Sequence, residues 1–392
     1  MEKKRIKAGI LGSGFAASFH TEALKRVYGV HVEIAGVYSP HPERCQNFGK
    51  ERRIPVCTSE EELFSVCDVV HICTPPASHE ALAVRGLNRG RHVIIEKPFT
   101  GYFGKGESGF SGDSFDRASG LIQAQASIQR ILEAEKSSAG TIFYAENWVY
   151  APAIQKEREV LEKTKGQILW IQGQEGHSGS HSPTYGDWSF SGGGSIMGKS
   201  VHPLTAALYL KSVEGRVKGI DIRPASVTAR THSLTRMNSY QDDGFLRSGY
   251  KDIEDFGALH VIFSDGSIAD IFASEIILGG VHNHMEVNAS NHRAVININP
   301  NTALQTFNPK GEQFDDIYVV EKIGTKEGWA NTSPDEDWFT GYQNEMEHFY
   351  NNVVEGTAPE SGSKLASDTI ATVYSAYLSA SHGGKEQTIP LL

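Results

Sequence analysis

Apolar residues in the first 145 positions fall in short unbroken runs, and each run ends in a turn followed by helical spacing. Ile6 to Leu11, Val32 to Tyr38, Val69 to Thr74, Val93 to Ile95 and Thr141 to Ala145 read as strands buried on both faces. Helical spacing follows the first strand to about Tyr28 and returns over His79 to Leu87 and Ala118 to Lys136. This alternation predicts a parallel, doubly wound α/β sheet with right-handed crossovers. From Glu146 the pattern changes. Strand-like runs at 167–174, 218–231, 256–263, 268–276 and 285–289 follow one another, with Ser264-Asp265-Gly266-Ser267 as a hairpin turn. They predict an α+β unit with a largely antiparallel sheet open on one face, closed by helices at Asp337 to Glu355 and Ser363 to His382. The expected domains are 1–145 and 146–392. Residues 101–117, rich in Gly and Ser without period, form an insert that is either disordered or a lid.

A chain of 392 residues accommodates two or three domains of about 150. Its 39% hydrophobic and 21% charged content is that of an ordinary globular protein. The net charge of −10, with no long basic run, argues against nucleic acid or an anionic membrane as partner. No apolar run reaches the length of a membrane span, and the N-terminus shows no signal-peptide core. Cys45, Cys57, Cys67 and Cys73 lack zinc-type pairing, so no metal is expected, and they read as reduced thiols of a cytoplasmic protein.

Candidate chemistry lies at the ends of the strands. Gly12-Ser13-Gly14-Phe15-Ala16-Ala17 follows the first strand as G-x-G-x-x-A. Gly12 permits the tight turn, Gly14 lets a pyrophosphate approach the backbone, and Ala17 lets helix and strand pack closely. After the second strand, Ser39, His41 and Arg44 either receive the 2′-phosphate of NADP or form a plain turn, which leaves NAD and NADP both open. Thr74-Pro75-Pro76 makes a rigid loop along the cofactor groove. Glu96-Lys97-Pro98 ends another buried strand, where open parallel sheets bind their ligands. Further on, Ser191-Gly192-Gly193-Gly194 leads to Lys199 and His202, three apart and so on one face of a helical turn. Trp148, Tyr150, His177, His181, Tyr185 and Trp188 are candidate sugar contacts, because aromatic faces stack on pyranose rings.

On Gly12-x-Gly14-x-x-Ala17, Thr74-Pro75-Pro76 with His79, Glu96-Lys97-Pro98 and the glycine run leading to His202, the chain resembles the Gfo/Idh/MocA oxidoreductases over nearly its whole length. The resemblance implies a Rossmann domain, an open-faced sheet that pairs subunits into a homo-oligomer, and NAD(P)-dependent oxidation of a secondary alcohol on a sugar, inositol or glycoside. It makes Lys97 and His202 the family lysine and histidine, and it places Ser13, Phe15, Ala16, His79 and Glu96 with the cofactor-binding residues. Where many members carry Asp four residues before the histidine, this chain has Gly198, and Thr205 stands where a second Asp is frequent. No carboxylate to orient His202 is therefore expected. A neutral His202 takes the alcohol proton while Lys97 and Lys199 stabilise the alkoxide, or else Lys97 is the base. The specific expectation is oxidation of a glycoside ring at C3. The alternatives are a cleaving enzyme that retains NAD, an inositol or polyol dehydrogenase, and a non-enzymatic NAD-dependent regulator.

Overall fold

A computed structural model describes residues 3–104, 106–180 and 182–392. The first sheet contains five strands: β1 (Arg5–Leu11), β2 (His31–Tyr38), β3 (Val69–Ile72), β4 (His92–Glu96) and β5 (Ile142–Ala145). They are all parallel, in the order β2-β1-β3-β4-β5. The buried centres of its interior strands are apolar, His71 of β3 excepted, because helices cover both faces: α1 (Phe15–Leu24), α2 (Pro42–Arg52), α3 (Glu60–Val66), α4 (His79–Asn88) and α5 (Arg117–Lys136). The strand order reverses between β1 and β3, so the crevice for a ligand opens beyond their carboxyl ends.

Two helices follow, α6 (Asn147–Tyr150) and α7 (Pro152–Thr164). The second sheet comprises β6 (Ile168–Gly176), β7 (Pro224–His232), β8 (Phe256–Phe263), β9 (Ile268–Ser274), β10 (His282–Ala289), β11 (Arg293–Asn299) and, far downstream, β14 (Gln387–Thr388). Its order is β11-β10-β6-β9-β8-β7-β14, antiparallel except for the β6–β9 pair. Along β8 burial alternates strictly. Gly257, Leu259, Val261 and Phe263 face inward, towards the side packed by α9 (Val201–Lys218) and α12 (Ser363–Ser381). The other face is open: Trp170 and Val295 are exposed there, and Asp270 accepts from His260 Nδ1 at 2.7 Å and from Trp170 Nε1 at 2.8 Å. The remaining elements are a short helix α8 (Trp188–Ser191), a separate hairpin of β12 (Gln305–Asn308) and β13 (Gly328–Asn331), and helices α10 (Glu336–Thr340) and α11 (Tyr342–Glu355). The closing helices reach back to the first sheet, α11 against α1 and α12 against α5.

Three expectations are corrected. The strand expected at 218–231 starts at Pro224, because α9 runs to Lys218 and ends on Gly219, whose φ of 70° is left-handed. The single helix expected from Asp337 to Glu355 is two, α10 and α11, broken at Gly341 with φ 101°. A side chain at Gly341 would begin 2.2 Å from the carbonyl of Asn147. The 101–117 stretch, Lys105 lying outside the described residues, is not a loose insert. Phe110 and Phe115 pack with Tyr102, Phe115 meets Trp188 edge to face at 5.0 Å, and Gly112 N donates to Asp252 at 2.7 Å. The segment is anchored on the second half of the chain through aromatic burial, which its Gly and Ser content hid.

Candidate active site

The crevice at the end of β1 has the features of an anion cradle. Gly12 has φ 110°, and a Cβ there would sit 2.4 Å from the carbonyl of Cys73. Gly14 is the N-cap of α1, with no side-chain cap and no acidic residue in the first turn. Its backbone N–H groups therefore point outward for an anion. A Cβ on Gly14 would meet only the Arg44 guanidinium, at 4.0 Å. Ser13 and Ala16 are half-buried and Phe15 is exposed beside this turn. Ser39 is buried at the end of β2, next to exposed Arg44, while Pro75 stands exposed across the crevice with Thr74 and Pro76 half-buried. These residues fit a dinucleotide with its pyrophosphate on the helix N-terminus.

Two residues expected at the cofactor serve the scaffold instead. His79 is fully buried, and both ring nitrogens lie 2.9 Å from carbonyls, those of Pro98 and Thr74. It ties the Thr74 loop to the Lys97 loop. Glu96 turns inward: one oxygen lies 2.9 Å from His20 Nε2, and the other accepts from Lys97 N at 3.0 Å. Burial works to raise the Glu96 carboxyl, but the His20 hydrogen bond and the charges of His20 and Lys97 hold it below the usual range. Behind it a buried chain continues, His20 Nδ1 to His71 Nδ1 at 2.8 Å and His71 Nε2 to the Tyr350 hydroxyl at 2.8 Å. Burial and the neighbouring His20 drive His71 well below the ordinary histidine value. With His71 neutral, a hydrogen order exists that satisfies every link, and in either direction along the chain the Tyr350 hydroxyl is the partner of His71 Nε2. Tyr350→Phe then leaves a buried ring nitrogen without its partner. It should cost about 1–3 kcal/mol of stability, read as a lower urea midpoint at unchanged slope; an unmoved midpoint would show that the chain bears no load.

The cluster the sequence split between its halves comes together at the mouth of this loop. Lys97 Nζ donates to the carbonyl of Gly198 at 3.0 Å. Gly198 lies in a π-helical turn, Ile196–Ser200, that feeds α9 and its second residue, His202. Lys199 Nζ donates to Ser180 Oγ at 3.0 Å and lies 3.6 Å from Glu275. His202 does have carboxylate neighbours, contrary to expectation. Its Nδ1 lies 2.5 Å from Glu146 Oε1, at the end of β5, and its Nε2 lies 3.8 Å from Glu175 Oε2, near the end of β6. Trp148 stacks on the imidazole from behind, with ring centroids 5.9 Å apart. Burial pulls His202 down to about 3, with Lys97 and Lys199 adding to the effect and Glu175 opposing it. Burial also pushes Glu146 up to about 8, against the pull of Lys97. Below that value the pair holds one proton in addition to the imidazole N–H. Above it the Glu146 carboxylate accepts Nδ1–H, and Nε2 presents a lone pair to the cleft.

The aromatic candidates divide. Tyr185 belongs to the cluster, its hydroxyl donating to Glu275 at 2.5 Å, and His177 accepts from Gly179 N at 3.0 Å beside the same carboxylate. Trp148 is a buried support for His202 rather than a sugar platform. Tyr150 is a core residue bonded to Ser361, and Trp188 is enclosed by Phe115, Arg117 and Tyr377, donating to the Tyr102 carbonyl. Neither faces the cleft. His181 lies outside the described residues. The glycine run does bring backbone close to something bulky, but to the protein itself: Cβ atoms on Gly192, Gly193 and Gly194 would strike Phe103, Tyr377 and Glu254. Glu146, Glu175 and Glu275 were missed. Glu146 ends its strand just as Glu96 ends β4, and that positional cue was available in the sequence.

A parallel sheet with a glycine cradle at its switch point, opening towards a lysine and a carboxylate-held histidine, is the architecture of a dinucleotide-binding fold. Residues 6–107 match the family model for the Gfo/Idh/MocA oxidoreductase family, NAD-binding Rossmann fold. The match covers β1 to β4 of the first sheet and its glycine turn, and not the second half of the chain. UDP-N-acetylglucosamine 3-dehydrogenase of Acidithiobacillus ferrooxidans is 33% identical over 95 residues, which cover 24% of this chain and 29% of that protein. Trans-1,2-dihydrobenzene-1,2-diol dehydrogenase of Bos taurus is 26% identical over 194 residues, 48% of this chain and 51% of that one. The chain thus spans about half or less of the length of these curated relatives. Among solved structures, GenD2 from gentamicin A biosynthesis, in complex with NAD, superposes with a TM-score of 0.79 at 19% identity, covering 99% of this chain and 97% of that one. Myo-inositol 2-dehydrogenase from Lactobacillus plantarum superposes with a TM-score of 0.73 at 18% identity, covering 99% and 100%. These likenesses are of fold.

Proposed function

We propose that the chain oxidises a secondary alcohol on a sugar or glycoside ring to the ketone, using NAD or NADP, and that the carbon oxidised is C3 of the glycosyl ring. The observation that carries this reading is the 2.5 Å contact of His202 Nδ1 with Glu146, which commits that nitrogen and frees Nε2 towards Lys97 and Lys199. The nicotinamide supplies the hydride acceptor when bound. His202 Nε2 takes the hydroxyl proton. The Lys97 ammonium, steadied by the Gly198 carbonyl, and Lys199, steadied by Ser180 and Glu275, favour negative charge on the alcohol oxygen as it develops. The ring position draws its support from the 3-dehydrogenase relative. The open sheet face, with Trp170 and Val295 exposed, supports pairing of copies there, and four buried free thiols support a cytoplasmic setting.

The test mixes the protein with NAD or NADP and a panel of glycosides. Reduced-nicotinamide absorbance is followed, and the product is examined by NMR for a ring ketone. Absorbance should rise with at least one glycoside, and the carbonyl should fall at C3. A flat trace with every sugar and both cofactors would end the dehydrogenase reading. A ketone elsewhere on the ring would end only the C3 assignment.

A further inference from the structure

Glu175 has no part in the proton transfer described above, yet it is built into the cleft. It sits at the end of β6 with little exposure, and its Oε2 is buried without a hydrogen-bond partner among the described residues. A buried carboxylate oxygen left unpaired is costly, so something that enters the cleft is expected to satisfy it. It does not orient His202. That ring is already held at Nδ1 by Glu146, and 3.8 Å from Nε2 is too long for a hydrogen bond. Burial raises the Glu175 carboxyl, and the positive charges of Lys199 and Lys97 oppose that rise. A cationic ligand group would meet those ammonium groups, and an anionic one would meet the carboxylate. A neutral donor fits.

We infer that Glu175 Oε2 accepts a hydrogen bond from a second substrate hydroxyl, on the ring carbon next to the one oxidised. The site therefore recognises a vicinal diol, with one hydroxyl at His202 Nε2 and its neighbour at Glu175. The two protein atoms lie 3.8 Å apart, so two adjacent ring hydroxyls can approach them side by side, each with its own acceptor. An analogue that lacks the neighbouring hydroxyl leaves Glu175 unpaired and is rejected for that reason. This inference rests on the dehydrogenase reading and narrows its substrate.

The experiment is a cycle of residue against substrate. It measures kcat and KM for the wild type, Glu175→Gln and Glu175→Ala on an active glycoside and on its 2-deoxy and 4-deoxy analogues. Loss of a hydrogen bond to a charged acceptor lowers kcat/KM by roughly 10- to 100-fold. The wild type should lose that much with one of the two deoxy analogues. Glu175→Ala should lose about as much on the parent glycoside, and the two losses should not add. Glu175→Gln, which keeps an acceptor oxygen and the side-chain volume, should fall between them with an unchanged melting temperature. Additive losses would overturn the inference. So would Glu175 variants that lose kcat equally on the parent and both analogues, because that is the behaviour of a base. A wild type inert towards every sugar would instead refute the dehydrogenase reading itself, and the inference with it.

Discussion

His202→Asn should slow single-turnover hydride transfer by about 10²–10⁴-fold, the usual contribution of a positioned proton acceptor. The pH dependence makes the claim sharper. Below the Glu146 value of about 8 the buried pair carries one proton beyond the imidazole N–H, and with that proton in the 2.5 Å contact or on the ring, Nε2 presents no free lone pair. If the proton sits on Glu146 Oε1 it faces Nδ1, which leaves the ring hydrogen on Nε2. If it sits on the imidazole, both nitrogens are protonated. Raising the pH through about 8 removes that proton, fixes the remaining hydrogen on Nδ1 against the carboxylate, and uncovers the base. Oxidation should therefore accelerate along a one-proton limb centred near that value, and ketone reduction should fall along the same limb. Glu146→Gln still accepts Nδ1–H through its amide oxygen but has no proton to lose there, so its profile should be flat across this range. A wild-type limb that persisted in Glu146→Gln would move the titration to another group, with Lys97 the next to test. An unchanged rate in His202→Asn would remove the imidazole from the reaction.

The place of Glu146 at the end of a strand was legible, but its contact with His202 could not be read from residue spacing. The glycine turn after β1, the Glu-Lys-Pro after β4 and the alternation of β8 are local patterns, set by backbone conformation and by burial of the next few side chains, so the chain spells them out. Glu146 and Glu175 reach His202 from two different strands, 56 positions away in the first case. Such a contact depends on how two sheets are placed by α9 and the π-helical turn before it, and no periodicity records that. The absent Asp at 198 misled for the same reason. A Cβ at Gly198 would lie 2.5 Å from the Tyr185 hydroxyl, which is itself bonded to Glu275. The space of the familiar acid is filled by a tyrosine from another segment, while acids from β5 and β6 approach the histidine from other sides. His79 and Glu96 were placed at the right loops but given the wrong task. Sequence gives the end of the strand on which a side chain stands, whereas its direction is decided by the polar groups buried around it, here His20 and the carbonyls of Thr74 and Pro98.

Gly12→Val and Gly14→Ala should separate the two jobs of the glycine turn. At Gly12 the backbone has φ 110°, and the first side-chain atom would stand 2.4 Å from the Cys73 carbonyl. That carbonyl belongs to the loop after β3, whose Cys73 N donates to Leu11 O at 2.9 Å, so yielding there pulls apart the paired ends of β1 and β3. Backbone strain of about 1–3 kcal/mol and a similar overpacking penalty together consume a large share of an ordinary domain's stability. Gly12→Val should melt well below the wild type with or without cofactor, or fail to fold. Gly14 has φ −103° and ψ −160°, which any residue adopts, and nothing but the Arg44 guanidinium within 4.0 Å of its Cβ position. Gly14→Ala should therefore unfold at the wild-type denaturant midpoint. Its added methyl nevertheless stands at the uncapped N-terminus of α1, where a pyrophosphate must come against the backbone, so nicotinamide dinucleotide titrated by fluorescence quenching should bind at least tenfold more weakly. Wild-type affinity in Gly14→Ala would mean that the dinucleotide does not cross this turn. The crevice between β1 and β3 would then need a different ligand, whatever the chemistry at His202.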